Sequence, residues 1–361
     1  MKRLMGLLEL IGLLALNGCS SSSDDGGAPI EPEPVLSTPI AFSANQGEES
    51  AVTRTTSLHD ANVSTFKVWG YKNLSSTTQT VFPGYTVKWT TGGSTTNSSG
   101  WDYILVDEPE QTIKYWDWSA AAYRFFAVTE GVGNPNDATE GQVSFTMTAD
   151  ASGANNDAIA ANIAATPYFS KLWYSTGQLP TYSDKQFGKP VQLEFLKPYA
   201  RVRFLFNYSY ESEGIKLKNP KFKPTDGTKK INLKGTFKVI YPLKGTTTSE
   251  WYSVTDIDQE VGLVEFDKQY IPEGGVEREV WYTVLPIDPS TPQGSYTLTV
   301  NVNGADKTCV VPAQYMQWKP GFSYTYIFKI TDDGGVEIDM VQSAFTPWEE
   351  RESQEYEIYN W

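Results

Sequence analysis

Histidine is almost absent from this chain. Its 361 residues contain one, His59, and only two cysteines, Cys19 and Cys309. A zinc site gathers three or four His, Cys or carboxylate ligands, and no such cluster stands in the sequence. A Ser-His-Asp relay has only His59 to draw on, and that residue sits in a polar loop segment. Positive charge is also scarce: 29 Lys and Arg face 43 Asp and Glu, for a net charge of −14. A nucleic-acid duplex or an anionic membrane surface would repel such a protein, so nucleic acid is excluded as a partner. After the first twenty residues no apolar run is long enough to span a bilayer. The chain lacks G-x-S-x-G, a P-loop, H-E-x-x-H and G-x-G-x-x-G. The carboxylate pair of a glycosidase is a matter of spatial spacing, and nothing marks any pair out. No enzyme activity, catalytic residue, metal or cofactor is expected. Helical pattern is scarce too. "DAIAANIAA" (Asp157 to Ala165) reads as one short helix with Asp157 as its N-cap.

What the chain has is aromatic residues and alternation. Tyr, Phe and Trp make up 14% of it, which suits sheets better than helices. "TPIAFSA" puts Ile40, Phe42 and Ala44 on one face. "STFKVWGY" puts Phe66 and Val68 on one face and Lys67, Trp69 and Tyr71 on the other. "GQVSFTMTA" aligns Val143, Phe145 and Met147; "PVQLEFL" aligns Val191, Leu193 and Phe195. "YARVRFLFNY" sets Ala200, Val202, Phe204 and Phe206 against Arg201 and Arg203. Strands of this kind bury one face and leave the other wet. "GSYTLTVNVNGADKTCVV" reads as a hairpin turning at Asn303-Gly304, and "GFSYTYIFKITDDGGVEI" as another turning at Asp333-Gly334. The polar segment Tyr182 to Pro190 is a plausible boundary, which makes 38–188 and 189–361 two all-β halves, most simply two β-sandwiches.

The first nineteen residues, "MKRLMGLLELIGLLALNGC", carry Lys2 and Arg3 and then a mostly apolar run from Leu4 to Leu16. This is the plan of a secretory signal over 1–18. Its end, "LNGC", resembles a bacterial lipobox, in which Cys19 becomes the first mature residue and carries lipid. The alternative is an ordinary signal with an incidental cysteine. The stretch 19–37 is rich in Ser, Gly, Pro and acid and is expected to be a flexible tether. Asp24 and Asp25 resemble a surface-export signal or serve solubility alone. With Cys19 lipidated, Cys309 has no partner in the chain and reads as a packed, inert thiol.

Three features have two readings each. Tyr115, Trp116 and Trp118 suit either a sugar-stacking platform or a core with its lid. "DID" (Asp256 to Asp258) and "DDGG" (Asp332 to Gly335) suit calcium ligands or plain turns, and neither extends into a full ligand loop. Arg54, in "AVTRTTS", is a solvated loop residue or a protease site, in a link of small polar residues.

The order of these pieces resembles the fimbrillin-like (Mfa-like) lipoproteins of Bacteroidetes, subunits of type V pili. The matching parts are the lipobox, the tether, "IAFSA", the "TR" link, "FKVWGY", "IKYWDWSAAAYRFFAV", "VQLEFLKPYARVRF", and "WKPGFSYTYIFKIT" with a late "TPWEE". Asp117 stands where proline is usual and Lys197 where histidine is usual. The resemblance implies two transthyretin-like β-sandwiches in tandem. It also implies outer-membrane anchoring through lipid at Cys19 and cleavage between Arg54 and Thr55 by an arginine-directed protease. Assembly with other fimbrial subunits would follow by strand exchange, at the cell surface, as a stalk, tip or anchor subunit. The tail Ser353 to Trp361, which alternates Tyr356 and Ile358, is a candidate donor strand or, in an anchor or tip subunit, pairs within its own subunit. From a different class comes a second expectation, a surface glycan-binding lipoprotein of a polysaccharide-uptake system.

Overall fold

The structure, a computed structural model, describes residues 38–46, 57–91, 100–135, 141–176, 186–208, 216–245, 251–266, 281–291 and 293–345. Cys19, Arg54, Thr55 and the tail from Ser353 lie outside the described residues. By its contacts the chain divides into Met1–Ser37 and Thr38–Trp361, and every described strand belongs to the second unit.

The first strands are β1 (Phe42–Gln46), β2 (Thr65–Leu74), β3 (Thr77–Trp89), β4 (Trp101–Asp102), β5 (Ala122–Thr129) and β6 (Gln142–Asp150). The helix α1 (Asn156–Ala165) precedes β7 (Phe169–Ser170), β8 (Trp173–Thr176), β9 (Val191–Leu196) and β10 (Ala200–Tyr208). Next come β11 (Leu217–Pro224), β12 (Lys234–Pro242), β13 (Trp251–Thr255) and β14 (Tyr282–Val284). The chain of strands ends with β15 (Tyr296–Val302), β16 (Ala305–Val311), β17 (Phe322–Ile330) and β18 (Val336–Phe345). The all-β class expected from alternation is what the structure has, and the sheets stack in sandwich fashion.

Eight strands form one sheet in the order β2-β3-β4-β1-β9-β7-β5-β8. β2 also pairs with β5, so the run from β2 to β5 closes into a ring. The ring is filled by side chains, as small barrels are: Phe42, Phe66, Phe82, Trp101, Phe125 and Phe195 are all buried in one cluster. Gly70 of β2 has no room for a side chain. A Cβ there would lie 2.6 Å from the Phe125 ring and 2.9 Å from that of Phe82.

The outer face of the ring is covered by the sheet β13-β12-β6. This explains why β5, the centre of the most aromatic stretch, is buried at every position. It also corrects the expectation for β2. Trp69 does not face water but is 5% exposed, its ring 4.8 Å from that of Phe145 on β6. A second layer covers this face at Trp69 and partly at Tyr71, while Lys67 stays exposed.

The sheets β14-β10-β17-β18 and β11-β15-β16 bury a third cluster between them, with Val202, Phe204, Phe222, Leu298, Tyr326 and Phe328. The pairings do not part at 188/189. β9 runs parallel to β1, from Phe42↔Val191 to Gln46↔Phe195. β6 pairs along its whole length with β12, from Lys234↔Asp150 to Pro242↔Gln142. The two halves are sewn together by strands that cross the expected boundary in both directions.

α1 begins one residue before the predicted helix. Its N-cap is Asn155, whose Oδ1 accepts from Ala158 N at 2.9 Å, while Asp157 lies in the first turn, where acid is favourable. Among the described residues no helix is long and apolar enough to cross a membrane.

Candidate functional site

β1 is the part of the fold that lies between the two expected processing sites. Its pattern, "FSANQ", turns Phe42, Ala44 and Gln46 inward. Phe42 is fully buried, with ring centroids of Phe82, Tyr103 and Phe125 at 5.2, 5.9 and 5.8 Å, all edge-on. Ile40, just before the strand, is also fully buried. Burying an Ile and a Phe stabilises the resident strand by about 1.5–3 kcal/mol each.

The backbone attachments are uneven. On one side β1 pairs with β9 over five residues. On the other it meets β4 at a single pair, Phe42↔Trp101. Ile40 N donates to Lys114 O at 2.7 Å, Trp116 N donates to Thr38 O at 3.0 Å, and the Tyr103 hydroxyl donates to Ile40 O at 2.9 Å. If β1 left, the ring would open between β4 and β9, and these groups would lose their partners.

The chain after Gln46 resumes in the described residues at Ser57, and Asn45↔Ser57 is an antiparallel bridge. Ser57 caps a short 3-10 helix, Leu58–Ala61, by accepting from His59 N at 3.3 Å. Leu58 is fully buried in the ring. His59, read from sequence as a loop residue, is in that helix and stacks on Trp89 at 4.6 Å. Thus both ends of the link that contains Arg54 are tied to the body, one by β1 and one by Leu58.

Sequence reading passed over Gln46. It is 1% exposed, and among the described residues neither its Oε1 nor its Nε2 has a partner; the same holds for the buried Ser43 hydroxyl. The signal was available: "PIAFSANQ" continues the inward alternation to a polar residue. Gln46 also lines a cleft of about 1030 Å³, with Asn62, Ile163, Tyr168, Lys197 and Trp281. Lys197 is 3% exposed and closes the C-terminal end of α1. Its Nζ donates to Ile163 O, Ala164 O and Thr166 O at 2.6, 2.9 and 2.5 Å and lies 4.4 Å over the Tyr168 ring. Burial pushes its pKa down to about 8.

The aromatic trio does not form one platform. Trp116 is in the core, 3% exposed and stacked on Phe187 at 5.2 Å, while Tyr115 and Trp118 keep about half their surface in water. Asp117 between them is salt-bridged to Lys72 at 2.7 Å, and that hydrogen bond helps hold its carboxyl down at about 2. Each acidic turn spends a carboxylate oxygen locally. Asp333 Oδ1 accepts from Thr331 Oγ1 at 2.5 Å and Gly335 N at 3.1 Å, and Asp258 Oδ1 accepts from Glu260 N at 3.1 Å. Cys309 is buried on β16, and burial pushes its thiol pKa up.

The profile of the fimbrillin-like family matches residues 53–348, beginning next to Arg54 and leaving β1 out. No curated protein matches the chain. Among solved structures it is similar to a candidate cell adhesion protein from Bacteroides ovatus, at 14% identity and TM-score 0.39, over 87% of this chain and 99% of that one. The fimbrial anchor protein Mfa2 from Porphyromonas gingivalis aligns at 11% identity and TM-score 0.29, over 86% of this chain and 99% of that one. A fimbrial assembly protein from Parabacteroides distasonis aligns at 10% identity and TM-score 0.32, over 84% and 100%.

Proposed function

The chain belongs to the fimbrillin-like family, and from that membership we propose that it is a non-enzymatic subunit of a cell-surface fimbria, exported as a lipoprotein on Cys19 and assembled by strand exchange at the β1 slot. The observation that carries this reading is the position of β1. It is a ring strand with a fully buried Phe42, yet it precedes the family match and is joined to it only through the link that holds Arg54. Cutting after Arg54 would leave Leu58 and its capped helix anchored in the body. β1 would then be held by its ladder and side chains alone. Its departure would expose apolar side chains and unpaired backbone on β4 and β9, which is costly until refilled. A strand from a neighbouring subunit would refill the slot by β-augmentation. Ser353 to Trp361 is a candidate donor.

Two acyl chains on Cys19 would suffice for stable outer-membrane anchoring, where one gives only marginal binding. The glycan-binding alternative gains little support, since of the three rings that could have formed a platform Trp116 is spent in the core, leaving Trp118 and Tyr115. The test is N-terminal sequencing of the protein recovered from sheared surface filaments. A start at Thr55 supports cleavage and strand loss. A start at Cys19 in assembled filaments contradicts it.

A further inference from the structure

We propose that the β1 slot fits a strand with an apolar side chain where β1 carries Gln46, so that the resident strand is the weaker occupant and a strand of another subunit the stronger. The idea rests on the reading of β1 as a removable strand and names the sequence character of its replacement.

The inward positions of the resident segment are Ile40, Phe42, Ala44 and Gln46. The first three match the ring interior they enter. The fourth does not. Gln46 stands opposite Phe195 in the parallel ladder with β9, and Phe195 is itself 1% exposed. The cleft that Gln46 lines mixes apolar Ile159, Ile163 and Tyr168 with polar Asn62, Lys197 and Arg201. Even so, among the described residues neither polar atom of the buried Gln46 amide has a partner, and neither does the buried Ser43 hydroxyl three residues earlier. A buried amide that has given up water and gained no hydrogen bond opposes burial of its own strand. An apolar side chain of the same length loses nothing by entering the same space. The orphaned atoms on β1 therefore weaken its hold without disturbing the apolar contacts that guide it into register. A strand with Met, Leu or Ile at that position would bind the same slot more tightly. The exchange of one for the other would run downhill.

The test uses the full chain with Gln46→Met, close in length and shape to the native side chain, and Gln46→Leu as a second shape. In the uncleaved protein the better-fitting variant is expected to unfold about 1–3 °C above wild type. After cleavage by an arginine-specific protease, release of a fluorophore-labelled β1 peptide is expected to slow about fivefold in that variant. Melting temperatures unchanged or lowered in both variants would overturn the proposal. Whether β1 leaves at all is read separately, from wild-type release. A raised melting temperature with no wild-type release would keep the mismatch at Gln46 and refute strand exchange. Wild-type release with unchanged melting temperatures would do the reverse.

Discussion

At the scale of single residues, Gly70 shows how tightly the ring is filled. Its lack of a side chain is what lets the Phe125 and Phe82 rings lie against β2. Gly70→Ala puts a methyl group into both rings at contact distances that real side chains do not tolerate. It is expected to destabilise the protein by about 1–3 kcal/mol, measured as a lower midpoint in chemical unfolding. An unchanged midpoint would mean that the rings can move aside. Nothing in the sequence near Gly70 announces this role, because the rings arrive from β3 and β5. The inward residues at 40, 42 and 44 were legible, since alternation assigns a face without reference to any partner. Gln46 was legible by the same rule, but a polar residue at a strand end reads as the start of a loop. Asn155 displaces Asp157 as the helix cap because both are good capping residues, and the local backbone chooses between them.

At the scale of elements, strands were easier to recognise than their neighbours. Alternation in β6, β9 and β10 predicts the buried face of each, and the structure buries those faces. It does not predict that the reverse face of β2 is covered, because the covering sheet comes partly from residues 234–255, far along the chain. The setting of α1 was equally invisible. None of its residues is fully buried, and it is held at its end by Lys197 rather than by an apolar stripe. That arrangement has a consequence for pH. The folded-state pKa of Lys197 is about 8, against an ordinary 10.5. Between those values the unfolded chain keeps a proton that the folded chain has lost, so this group makes stability rise with pH across that window and contributes no slope below it. Wild type is expected to gain melting temperature relative to Lys197→Met from pH 8 to 10.5. The variant should also exchange the amide protons of residues 156–165 faster at pH 7, since three helix-end carbonyls lose their donor. Parallel pH curves would show that Lys197 does not titrate in that range.

At the scale of the whole molecule, the β6–β12 ladder and the β1–β9 pair matter most. A chain that reads as two halves folds with each half supplying strands to the other. Composition and a polar, proline-closed segment locate a surface loop near 186–190, but they carry no information on which strands pair across it. Residues 189–361 expressed alone are therefore expected to lack a stable fold, because β12 loses its full-length partner and Phe237, Val239 and Tyr241 lose their cover. A dispersed amide spectrum and a cooperative melt from that fragment would contradict this. The same interlocking gives strand exchange its meaning. β1 is the piece of the body that one cut after Arg54 would disconnect from the chain beyond it, while every other described strand would stay covalently joined to its neighbours. The decisive measurement is the length distribution of surface filaments from cells carrying Arg54→Ala in place of the wild-type gene. Monomers that keep β1 and retain the wild-type melting temperature are the expected result. Filaments of normal length built from uncut chains would contradict it.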